Sequence, residues 1–233
     1  MLKRTSILCG AGLLLSVGAA NADFLYNNGT TINVEGGYGR LFTPNTNLNS
    51  AGGSHQLWGL DYNVGLGYKW SLQQGFFFGL EGDYLYNGSS TYNGSGATND
   101  TGSVTVNSQA YAGLASLTYF MTNNWNIFAK AGYAYVQNQH DYNGTVTATG
   151  SGGNDYTLNN DHTVTSWQPM AVVGVGYAIP LSDNIGLDIY TDITWINGGS
   201  QDNFNFVNAN NYVSNSPQTA EVVAAKIGAA LIF

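Results

Sequence analysis

The side chains able to do chemistry fall into two groups. The first is three histidines beside polar neighbours, Ser54-His55, His140-Asp141 and Asp161-His162. Hydrolysis by such groups needs a nucleophile and a base held within reach of each other and oriented by a third group. Neighbours in sequence do not make that arrangement, and each pair sits in or beside a long polar stretch, so all three histidines read as loop residues. The second group is Glu35, Asp61, Lys69, Glu81, Asp83, Lys130, Asp188, Asp192 and Lys226. These ionisable residues interrupt otherwise apolar, alternating segments. Their chemistry is electrostatic, because charge out of water must be paired, hydrated, hydrogen-bonded or protonated. Gly152-Gly153-Asn154-Asp155 is similar to a calcium-binding glycine repeat but occurs once, without periodicity. The Asn-Gly pairs at Asn28, Asn87 and Asn143 read as turns. No catalytic residue, metal or cofactor is expected.

Alternation by twos supplies the elements that position these charges. In Gln56 to Trp70, Trp58, Leu60, Tyr62, Val64, Leu66 and Tyr68 share a face opposite Asp61 and Lys69. Thr31 to Phe42 places Ile32, Val34 and Tyr38 against Glu35, with Arg40 on the apolar parity near the strand's end, where it snorkels. Phe76, Phe78, Leu80, Tyr84 and Tyr86 oppose Glu81 and Asp83. Val104 to Met121 is ambiguous: Tyr111, Leu117 and Tyr119 give one parity, Val104 and Val106 the other, and a bulge would reconcile them. Trp125 to Tyr135 sets Lys130 inward. Trp167 to Tyr177 contains Pro169, which places that residue at a bulge or near the rim. Ile185 to Trp195 sets Asp188, Tyr190 and Asp192 inward, and Glu221 to Phe233 does so for Lys226. That makes eight strands.

Connections after strands two, four and six are short. Those after one, three, five and seven are long and polar: about Thr43 to Ser54, Asn87 to Ser103, Asn138 to Asp161 and Asn197 to Gln218. Short periplasmic turns alternating with long outer loops form the outer-membrane pattern. Trp167 and Tyr177 lie ten residues apart on one face, which at a tilt of about 40° spans roughly 25 Å, the height of the apolar band between two aromatic girdles. Trp70, Phe76, Trp125, Tyr177 and Phe233 make the periplasmic girdle, and Trp58, Tyr86, Tyr135, Trp167 and Trp195 the outer one. A soluble sandwich would need polar outward faces, which strands two, five and seven lack.

Lys3-Arg4, the apolar run from Ile7 to Val17 and Ala20-Asn-Ala22 read as a signal peptide over residues 1–22, cleaved before Asp23. Cys9 leaves with it, so residues 23–233, read as the barrel domain, contain no cysteine. Charged residues are 9% of the chain, far below the roughly 25% of soluble domains. Four basic residues then remain against fourteen acids, a net charge of −10, which argues against nucleic acid as a partner.

Together the signal peptide, the alternating strands, the loop pattern and the terminal Phe233 resemble the OmpA/OmpX-like eight-stranded outer-membrane β-barrel family, with its porin-like and opacity-type surface proteins. The resemblance implies an all-β, antiparallel up-and-down transmembrane barrel in the outer membrane of a Gram-negative cell. In that family the C-terminal strand closes on the first, and its terminal aromatic is read by the barrel assembly machinery, which makes Phe233 the expected assembly signal. Outer-membrane lipids and lipopolysaccharide are the expected surroundings, with an extracellular or host ligand met through the loops and a monomeric state. Some small barrels are enzymes, such as lipid A deacylases and acyltransferases and the omptin proteases, but nothing in this chain makes their catalytic arrangement. The expected role is structural or surface-interacting, the alternative being a narrow porin or transporter for small solutes. Inside, Asp192 is expected to pair with Lys226 and Glu81 with Lys130, around isolated waters and with at most a small, cation-preferring conductance.

Overall fold

The computed structural model describes residues 28–42, 55–56, 58–73, 75–93, 103–121, 123–143, 145–147, 155–157, 162–198 and 221–233. Residues 1–22, the expected signal peptide, lie outside the described residues, as does much of each long connection.

Eight long strands make the fold: β1 (Gly29–Phe42), β2 (Trp58–Gln73), β3 (Phe76–Asn93), β4 (Ser103–Phe120), β5 (Trp125–Asn143), β6 (His162–Ser182), β7 (Ile185–Ile196) and β8 (Glu221–Ile232). Each pairs antiparallel with the next, and β8 pairs with β1, so the sheet closes into a ring. The seam ends in two backbone bonds, Thr30 N–H to Phe233 O at 3.1 Å and Phe233 N–H to Thr30 O at 3.0 Å. Two short pieces accompany the long strands. Gln56, expected to open the second strand, pairs together with His55 against Thr91 and Tyr92 of β3 in the same sheet, so His55 lies on that ladder and not in a loop, while Thr145–Thr147 pairs with Asp155–Thr157 in a separate two-stranded sheet.

The outward face carries the predicted apolar set. Leu60, Leu66, Tyr133, Trp167 and Ile227 are each at least 60% exposed, as suits lipid-facing side chains. Girdle residues meet across the ladders. Trp125 opposes Tyr177 with ring centroids 5.4 Å apart, and Tyr135 opposes Trp167 at 5.3 Å. Arg40 stays outward, its guanidinium carbon 5.8 Å from the Trp58 ring centroid.

Two expectations are corrected and one alternative is decided. β4 pairs with β5 without a shift from Ser103↔Asn143 to Phe120↔Asn126, so it has no bulge there; Val106 points inward and is 2% exposed. The irregularity lies on the neighbouring strand, between Tyr86 and Ser89, where Gly88 has a φ of +86°. β3 and β5 also run past the outer girdle into stretches expected to be loop, 87–93 and 138–143, and β4 and β6 rise beside them, β6 from His162, ahead of its expected start at Trp167. They form a wall on one side of the mouth that rises about 20 Å above Tyr135. Pro169 sits in β6 opposite Tyr133 with no shift; on its other edge it lies just past the last β7 pair, Ile196↔Met170, which is the rim position rather than a bulge.

The interior is not polar throughout. Toward the outer end, Leu41, Leu85, Ala110, Ala134, Val136, Met170, Ile196 and Val222 form an apolar cluster, none more than 2% exposed. Toward the periplasmic end, Phe77 and Phe120 meet edge-on at 5.5 Å beside Ala178. The charged residues lie between these two plugs.

Inward glycines make the room an eight-stranded barrel otherwise lacks. A Cβ at Gly228 would stand 2.7 Å from two ring atoms of Tyr190 and 2.8 Å from Glu35 Cγ, whereas one at Gly36 would meet nothing within 4 Å. Gly228→Ala is expected to cost about 1–3 kcal/mol through overpacking and Gly36→Ala almost nothing, read as shifts in urea midpoint in detergent micelles. Equal midpoints for the two variants would contradict this packing.

Candidate functional site

Glu35 on β1 is the hub of the charged layer. Its carboxylate is 5% exposed as a residue. It receives Lys226 Nζ at 2.7 Å and Lys130 Nζ at 3.8 Å, the Tyr190 hydroxyl at 2.9 Å and Asn63 Nδ2 at 3.1 Å. Lys130 lies between strands, 2.6 Å from Glu81. Its ammonium also stands 5.6 Å from the Phe128 ring centroid and 6.0 Å from that of Tyr190, within cation–π range. Phe128 and Tyr190 meet edge-on at 5.3 Å.

Four of the remaining acids accept from an amide or a hydroxyl, Asp83 from the Asn63 that also serves Glu35. Asn33 donates to Glu81 at 2.8 Å, Asn63 to Asp83 at 3.2 Å, Asn126 to Asp188 at 2.9 Å and Thr194 to Asp192 at 3.0 Å. Asp61 is 2% exposed, with Oδ1 meeting no hydrogen-bond donor among the described residues. Lys69 lines a cavity of about 20 Å³ with Thr31, Asn33, Glu81, Lys130 and Asp188, enough for one water.

The expected contacts divide. Glu81 and Lys130 meet. Asp192 and Lys226 are ladder partners, yet the ion pair of Lys226 within 4.0 Å is with Glu35. Lys226 lies across Gly37, where a Cβ would stand 2.8 Å from its Cγ, and from there it reaches β1 rather than its neighbour on β7. Charge alone did not point to Asn33, Asn63, Asn126, Tyr190 and Thr194. Their inward parity was the available signal. Of the histidines, His140 is 2% exposed and opposes His162 in register, while His55 opposes Tyr92. Among the described residues no group of three or more His, Cys, Asp or Glu is placed to hold a metal.

A closed antiparallel ring with lipid-facing aromatics and charge inside is the geometry of a transmembrane barrel. Residues 8–214 match the family model described as outer membrane protein beta-barrel domain. The chain belongs to that family. It is therefore an integral barrel of the outer membrane. Among solved structures, this barrel is similar to Ail, the attachment invasion locus protein of Yersinia pestis (9% identity, 89% of this chain and 99% of that one, TM-score 0.42). It is also similar to the outer membrane protein OprG from Pseudomonas aeruginosa (10%, 91% and 99%, 0.46) and to the outer membrane protease OmpT from Escherichia coli (9%, 94% and 99%, 0.42). No curated protein sequence matches the chain.

The geometry makes Glu35 the partner that Lys226 would strand. Lys226→Met is expected to destabilise the outer-membrane barrel by about 3–5 kcal/mol. In double-mutant cycles on urea unfolding, Glu35→Gln should recover more of that loss than Asp192→Asn. A stronger coupling to Asp192 would overturn this assignment.

Proposed function

We propose that this outer-membrane protein is a sealed, non-catalytic barrel that carries its loops to the cell surface, where they meet an extracellular or host ligand. The observation behind this reading is the apolar cluster across the outer half of the lumen, with Leu85, Ala110, Val136, Ile196 and Val222 each at 0% exposure. An ion crossing it would leave water with nothing to replace its hydration. That disfavours the narrow-porin alternative, and the charged layer beneath becomes a structural brace. Lipids and lipopolysaccharide surround the apolar band. Residues 1–22 serve export and are removed before Asp23, and Phe233 serves as the assembly signal while it completes the seam. The 9% identities with an attachment protein and with a protease transfer neither activity to this chain.

In planar bilayers the refolded protein is expected to give no steady conductance, and Leu85→Ser combined with Val136→Ser should raise leakage. A stable open channel in the unmodified protein would return the porin reading. The surface role has its own check. Protease added to intact cells should cut within residues 94–102 or 148–154, and cutting confined to the Gln73–Phe76 turn would put the long connections on the wrong side.

A further inference from the structure

On the inner face Glu35, Asp61, Glu81, Asp83, Asp188 and Asp192 stand against Lys69, Lys130 and Lys226, so three carboxyl groups lack a lysine. Lys130 and Lys226 are engaged with Glu81 and Glu35, and Asp83 has no ion pair within 4.0 Å among the described residues. Asn33, Gly65 and Asp83 occupy one ladder row across β1, β2 and β3. Because the middle residue has no side chain, the outer two lean toward each other over it. Asp83 Oδ1 and Asn33 Oδ1 both crowd the point where a Cβ of residue 65 would stand, the latter at 2.5 Å with its own Nδ2 beside it at 2.7 Å. Their orientations are held from behind: Asn63 Nδ2 donates to Asp83 Oδ2, and Asn33 Nδ2 donates to Glu81 Oε1. Asp83 is 5% and Asn33 2% exposed, and neither Oδ1 meets a hydrogen-bond donor among the described residues. Two buried acceptors facing each other repel unless something positive lies between them.

We propose that a monovalent alkali cation is held between Asp83 Oδ1 and Asn33 Oδ1 above Gly65. The donors are hard oxygens carrying one formal charge, which matches a sodium-sized ion. Calcium would ask for six to eight oxygens and more carboxylates. The ion takes the place of a proton on one of the three unmatched carboxyl groups and ties β1 to β3 across β2.

The site presumes the enclosed lumen of the proposed function, and the two fail differently. The refolded mature protein in detergent is dialysed against radiolabelled sodium and then desalted. Its melting is compared in sodium chloride and in N-methyl-D-glucamine chloride at equal ionic strength. The expected result is a single sodium ion retained per barrel and melting several degrees higher in sodium. Asp83→Asn should lose both effects. Asn33→Asp, a second variant in case the first does not fold, should strengthen retention. Equal melting in the two salts with no retained sodium overturns the site, and a proton or a water then bridges the oxygens. If that result comes from a barrel silent in bilayers, the site alone is wrong. If the barrel conducts, the sealed-lumen reading falls with it.

Discussion

In hydrocarbon no water is available to take a backbone N–H or C=O, so a sheet that crosses it must leave no edge. The rest of this structure follows from that constraint. Closure makes β1 and β8 partners although they are far apart in sequence, and it brings Thr30 and Phe233 into reciprocal bonds. Closure with eight strands also fixes a lumen so narrow that side chains must fill it. The inward glycines and the layered filling are the answer to that second constraint. Phe77 and Phe120 close one end and the Leu85–Val136–Ile196 cluster the other, and ionisable groups are confined to the middle, where Glu35 gathers lysines from β5 and β8.

The outward face was legible in the amino-acid sequence because lipid imposes one rule on every residue it touches. Trp58 through Trp70 obeys that rule without exception, and its parity survived intact. The inward face was less legible because the lumen accepts both kinds of side chain. Where Val106 and Leu114 point inward and Tyr111 and Leu117 outward, both parities are apolar and alternation cancels. The conflicting signal in β4 was the plug itself, and the bulge that would have explained it is absent there. Past the outer girdle the opposite happens. Asn107, Gln109, Gln137, Gln139 and Asp141 are polar on a face that has left the membrane, so a strand there looks like a loop. Register placed Asp192 beside Lys226 correctly. It did not reveal that a long side chain lying over Gly37 reaches a third strand.

Family membership places the chain in the outer membrane but leaves its task to the site, because one barrel serves many tasks. A lumen closed by apolar side chains directs attention to what the strands hold up. Among the described residues the histidines sit on the tall side of the mouth, along β3, β5 and β6, apart from the acids and lysines of the middle layer. The chemistry of the interior and that of the rim are thus separated by a dry zone.

The tall wall has a mechanical consequence. β4, β5 and β6 keep one unbroken register from Phe120 and Trp125 at the periplasmic end to Asn143 and His162 at the top, with no joint along the way. A load applied to the loops they carry is therefore delivered to the membrane-embedded ring as leverage instead of being absorbed at a hinge. Compliance is concentrated at one place, the irregularity beside Gly88 on β3. That edge of the wall can yield while the other three strands act as a mast.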